Sequence, residues 1–96
     1  MKSRYSAYAA GASDYIIRTT HPDNSDYSTD HTSWKQSIEA FSRETDFLGL
    51  EIEAYRAGSE ESFVTFRAML SGGEMRERSR FLKEEGRWLY VEGEML

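Results

Sequence analysis

Two spacings of apolar residues divide this chain. Up to Glu44 they recur at helical intervals, and from Asp46 onward they alternate with polar ones. The first helix is predicted over Ser3 to Ala10, with Tyr5, Tyr8, Ala9 and Ala12 on one face and Gly11 placed to end it. Ser13 reads as the N-cap of a second helix, Asp14 to Thr20, whose inner stripe is Tyr15, Ile16 and Thr19. His21-Pro22 stops that helix, because the residue before a proline is pushed out of the α region. Asp23 to Asp30 is turn-rich and predicts a loop. Ser33 to Glu44 predicts a third helix. Ser33 and Gln36 are spaced as a capping box, Trp34, Ile38 and Phe41 form its apolar face, and Lys35, Glu39, Arg43 and Glu44 its polar one.

The alternating half predicts four strands. In the first, Leu48, Leu50, Ile52 and Ala54 alternate with Gly49, Glu51, Glu53 and Tyr55. After a turn at Ala57 to Glu60, Val64, Phe66, Ala68 and Leu70 alternate with Phe63, Thr65, Arg67 and Met69. Ser71-Gly72-Gly73 turns the chain into a third strand. There Met75, Glu77, Ser79 and Phe81 share one face, and Arg76, Arg78, Arg80 and Leu82 the other. Glu84 to Arg87 turns again, and Trp88 to Glu92 is the fourth strand. Three short connections imply an antiparallel meander. Helices segregated from strands make this one α+β domain over residues 1–96, with the helices on one face of the sheet.

Composition narrows the picture. Hydrophobic content of 39% with 14% aromatic predicts a small, aromatic-rich core. A formal charge of -5 argues against a nucleic-acid binder, which needs a concentrated basic surface. With no cysteine, disulfides and Cys-type zinc sites are excluded. No apolar run approaches the ~20 residues of a membrane helix, and no signal-peptide pattern opens the chain. A cytoplasmic domain with no membrane partner is expected. His21 and His31 are the only histidines, and Asp23, Asp26 and Asp30 lack calcium-loop spacing, so neither metal nor cofactor is expected. No nucleophile or phosphate-loop motif is present, and no residue is assigned as catalytic.

Several segments carry a family resemblance. Ser3-Arg4-Tyr5-Ser6-Ala7-Tyr8, His21-Pro22, Leu48-Gly49-Leu50, Val64-Thr65-Phe66, Glu77-Arg78-Ser79-Arg80-Phe81 and Gly86 to Gly93 resemble, in the same order, the central domain of bacterial YchJ-type proteins. The resemblance implies an NTF2-like (cystatin-like) cone, in which a curved four-stranded sheet wraps over three helices around an interior pocket. Those proteins carry Cys-rich SEC-C zinc motifs outside the domain, and this sequence has none. Thr20 stands where members often have Trp.

The pocket candidates are then Arg4, Tyr5, Tyr8, Tyr15, His21, Trp34, Glu77, Ser79, Trp88 and Tyr90. Glu77 sits on a partly apolar face and needs a partner; Arg4 is the expected one, with Ser79 helping to pin the first helix to the sheet. The arginine row is expected to face solvent or a partner chain, neutralised by Glu51 and Glu53. The expected function is a binding or interaction module for a small apolar or amphipathic ligand or a protein. A homodimer through the sheet is a further expectation. The alternative is an isomerase- or dehydratase-like enzyme using Glu77 with Tyr5 or Tyr8 as proton partners.

Overall fold

The computed structural model describes residues 2–96. Three helices, α1 (Lys2–Ala10), α2 (Ser13–Arg18) and α3 (His31–Glu44), precede four strands, β1 (Phe47–Ala57), β2 (Glu61–Leu70), β3 (Gly73–Glu84) and β4 (Arg87–Met95). The strands form one antiparallel sheet in the order β1-β2-β3-β4. This is the α+β architecture that the alternation predicts.

Gly11 ends α1 in the left-handed region at φ 70°. The Gly11 and Ala12 N–H groups donate back to the Tyr8 and Ala7 carbonyls, which satisfies the last orphan acceptors of the helix. The inward stripe of α1 runs through Arg4, Ala7 and Tyr8, while Ala9 and Ala12 are exposed. Two further expectations fail at helix starts. Ser13 is the first residue of α2 and not its cap, because its hydroxyl donates instead to Glu39 on α3 at 3.1 Å. The third helix begins at His31, since the Asp30 carboxylate takes both the Ser33 N–H (3.1 Å) and the Ser33 hydroxyl (2.9 Å). An anion at the positive end of the helix outcompetes the predicted Ser33–Gln36 box.

In β1 the simple alternation breaks twice. A bulge between Phe47 and Gly49 leaves Leu48 69% exposed and sets Phe47 opposite Leu70. A second bulge between Ile52 and Ala54 leaves Ala54 exposed and brings Tyr55 opposite Val64. One extra residue reverses which side chains face the helices. On β3 the predicted division holds. Met75 and Glu77 face the hollow under the helices, and Ser79 and Phe81 are buried. The arginines lie outside, where Arg76 pairs with Glu53 at 2.6 Å and Arg80 with Glu61 at 2.7 Å. Arg67 completes the ladder with Glu51 at 2.6 Å.

As the last strand in the sheet, β4 would leave an open edge, and the chain between α2 and α3 covers it. His21 N–H donates to the Tyr90 carbonyl and Tyr90 N–H to the Thr19 carbonyl, both at 2.8 Å. Asn24 Nδ2 donates to the Val91 carbonyl at 2.6 Å. His21 Nδ1 accepts from the Asp23 N–H, so Nε2 carries the proton and donates to Glu84 at 2.8 Å. This short parallel strap satisfies backbone groups that would otherwise recruit another chain. The helical core is Ala7, Ile16, Trp34 and Ile38; Val64, Phe66, Ala68 and Phe81 are the buried apolar residues of β2 and β3.

Candidate functional site

The helices do not fill the concave face of the sheet. A cavity of about 670 Å³ opens between α1, α3 and strands β2 to β4. Its apolar wall comes from both layers: Trp34, Ile38 and Phe41 from α3, Phe66, Ala68 and Leu70 from β2, and Phe47 and Met75. Edge-to-face contacts lock these rings. Phe41 packs on Tyr8 and Phe47, and Tyr5 on Phe47, with centroids 5.5 to 5.9 Å apart.

Polar groups gather on one side of this cavity. Arg4 is only 6% exposed. Its Nη1 donates to Thr19 Oγ1 at 2.6 Å, to the Ile16 carbonyl at 3.3 Å and to Thr20 Oγ1 at 3.4 Å. The guanidinium carbon lies 4.7 Å from the Tyr90 ring centroid. Burial lowers the Arg4 pKa, while Tyr8, Tyr90, Tyr15 and Glu77 pull it back up.

The expected Arg4–Glu77 bridge is absent among the described residues. Glu77 Oε2 instead accepts hydrogen bonds from the Ser79 hydroxyl and, at 3.3 Å, from the Tyr90 hydroxyl. Helical reach explains the change: Arg4 is used up on the end of α2, and Glu77 finds its donors on its own strand and the next. Gly93, opposite Ser79 on β4, makes the room. A Cβ there would collide with the Glu77 carboxyl group.

Two tyrosines are held protonated. Burial raises the Tyr8 pKa, opposed by Arg4. Burial, then the charge of Glu77 and the hydrogen bond to it, push Tyr90 far above the usual phenol range. The Tyr5 hydroxyl is buried, with no hydrogen-bond partner among the described residues. The cavity thus offers neutral donors and one fixed cation, with Glu77 beside it and Asp26 also on the lining. Such a set can orient a polar group, but it contains no activated nucleophile. Among the described residues, no cluster of three His, Asp or Glu could hold a metal.

Six of the ten candidates line this cavity: Arg4, Tyr5, Tyr8, Trp34, Glu77 and Tyr90. Ser79 is 0% exposed and acts from behind, holding Glu77. His21 belongs to the edge strap and is not on the lining of this cavity. Tyr15 and Trp88 line a second cleft of about 530 Å³ at the other end of the sheet, together with Arg18, Tyr55 and Arg87. The Phe66 and Met75 wall was visible in the strand alternation, although neither residue is among the ten. Tyr55 was hidden by the β1 bulge.

Comparisons with known proteins fit this architecture. The family model described as YchJ, middle NTF2-like domain, matches residues 1–93. A UPF0225 protein of Serratia proteamaculans is 39% identical over 101 residues, covering 97% of this chain and 62% of that protein. A UPF0225 protein of Chromobacterium violaceum is 40% identical over 100 residues, covering 97% and 69%. The chain therefore spans about three fifths to two thirds of these relatives. The solution structure of a SEC-C motif containing protein from Rhodopseudomonas palustris superposes with a TM-score of 0.80 at 34% identity, over 100% of this chain and 75% of that one. Among the described residues, no helix is long and apolar enough to cross a membrane.

Proposed function

This chain belongs to the YchJ middle NTF2-like domain family, and within that family we propose that it is a ligand-binding module. Its ligand is a small amphipathic molecule with an apolar body and one polar, uncharged head. The observation that carries this reading is the cavity of about 670 Å³, walled by aromatic and aliphatic side chains and polar on one side. The body would lie against Trp34, Phe66 and Met75. The head would meet Tyr8, Arg4 and Glu77, whose opposite charges offset each other, and Asp26 on the same lining disfavours an anion.

The isomerase- or dehydratase-like alternative is less well supported. Glu77 already accepts two hydrogen bonds on one oxygen. Tyr8 and Tyr90, held protonated, can donate but not act as bases. The outer face, through which a homodimer would form, is laced with Arg–Glu pairs that a partner would have to desolvate.

The test is a thermal-shift screen of medium-chain alcohols, amides, carboxylates and sterols, followed by NMR. A ligand present at a hundred times its Kd stabilises by about 2.7 kcal/mol, a rise on the order of 10 °C in a domain of this size. The uncharged amphiphiles should give that rise and move the Trp34 indole resonance. A flat screen with Trp34 unmoved overturns the reading.

A further inference from the structure

The second cleft differs from the first in charge. Three arginines line it, Arg4, Arg18 and Arg87, and no acidic side chain does, in a chain whose formal charge is -5. Two acids close to these arginines in sequence are engaged elsewhere: Glu84 bonds His21 at 2.8 Å, and Asp14 lies 3.9 Å from Lys35. Among the described residues, none of the three arginines has an ion-pair partner, whereas Arg67, Arg76 and Arg80 on the outer face all do.

Aromatic rings alternate with these charges. Tyr15 is fixed by donating its hydroxyl to Ser3 at 2.7 Å, with the Arg18 guanidinium 5.9 Å from its ring. Tyr55 is 65% exposed and Trp88 36% exposed, although both line the cleft. Large rings left open beside unpaired guanidinium groups suit one kind of ligand. A planar ring stacks on the aromatic faces, and an oxyanion on that ring pairs with the arginine forks. The main cavity cannot take the same ligand, because Glu77 and Asp26 line it.

We infer that this cleft is a second binding site, specific for a planar aromatic ring bearing a carboxylate or phosphate. Arg18 and Arg87 hold the anion, and Trp88 and Tyr55 hold the ring. The site is independent of the ligand proposed for the main cavity.

The test is an NMR titration of the isotope-labelled domain, with the Trp88 indole signal assigned from W88F. Indole-3-carboxylate and adenosine 5′-monophosphate are the ring-anion probes. Indole, adenosine and inorganic phosphate are the controls. At least one ring-anion probe should move the Trp88 signal saturably, and its controls should bind about tenfold more weakly or worse. A response to the carboxylate alone assigns an aromatic acid, and to the phosphate alone a nucleotide. R18Q and R87Q, both at exposed positions, should each weaken binding by about tenfold with the fold intact. The inference is overturned if neither probe moves Trp88 at millimolar concentration, if neutral rings bind equally well, or if both arginine variants bind as the parent does.

Discussion

Two hollows lie on the concave side of one sheet, and Arg4 lines both. The larger is an aromatic-walled space in which Glu77 and Asp26 face one cation, Arg4. The smaller is aromatic and cationic. Strand β2 supplies both, Phe66, Ala68 and Leu70 to the first and Ser62 and Val64 to the second. The sheet therefore does not decide their chemistry. The helices do: α1 and α3 meet one end of the face with rings and aliphatic side chains, whereas α1 and α2 meet the other with Arg4, Tyr15 and Arg18. An apolar helix face makes a packed wall, whereas a helix face carrying arginines makes a surface where charges stay unpaired.

The two tryptophans give the largest contrast. Trp34 is buried in the helical core, and Trp34→Ala should cost about 3–5 kcal/mol in chemical denaturation. Trp88→Ala, at the open cleft, should cost under about 1 kcal/mol. Equal losses would erase the distinction between wall and rim. Next comes Arg4→Ala, expected to lose about 3 kcal/mol, because it removes buried charge-assisted bonds and the stem that packs between the hollows. It is the one substitution expected to weaken probes of both sites; an effect on one alone would mean that Arg4 does not join them.

A smaller effect is expected at Tyr90. Tyr90→Phe keeps the ring under Arg4 but takes a donor from Glu77, a loss of about 1 kcal/mol. The folded-state pKa of this phenol is raised, so its stabilisation is complete below the unfolded value of 10.0 and is lost as pH rises beyond it. The parent should weaken through that alkaline range more steeply than Tyr90→Phe, as denaturation midpoints would show. Parallel curves would place the titration elsewhere. The slightest effect is at Asp30, whose carboxyl is held below its usual value by the Ser33 N–H and hydroxyl. That contribution is present above pH 3.8 and is lost as pH falls through the lower folded value. Protection of the amides at the start of α3, relative to their intrinsic exchange rates, should fall in acid, and Asp30→Ala should abolish the change.

The fold was legible because its signals are periodic. Alternation along β2 and β3 located the inner face, including Glu77 and the outward arginines, and the helical stripe located Trp34 and Ile38. What escaped was local competition. Asp30 outbid Ser33 as a cap, and Ser13 served a neighbouring helix in place of its own. Partner choice escaped too. Arg4 and Glu77 share a cavity, as their types suggested, yet each is satisfied by different groups. Tyr15 and Trp88 were read as pocket aromatics without a means of telling one hollow from another. Only the packing of α1 against the sheet separates them.

The bulge at Glu53 works as a phase shifter. Were Glu53 to enter the ladder opposite Thr65, Ala54 would face inward, Tyr55 outward and Arg56 inward. The cationic hollow would gain a fourth guanidinium and lose a stacking face, with every catalogued wall of the larger one untouched. Whether that one glutamate is paired or looped out therefore decides which side chains line one hollow, independently of the other.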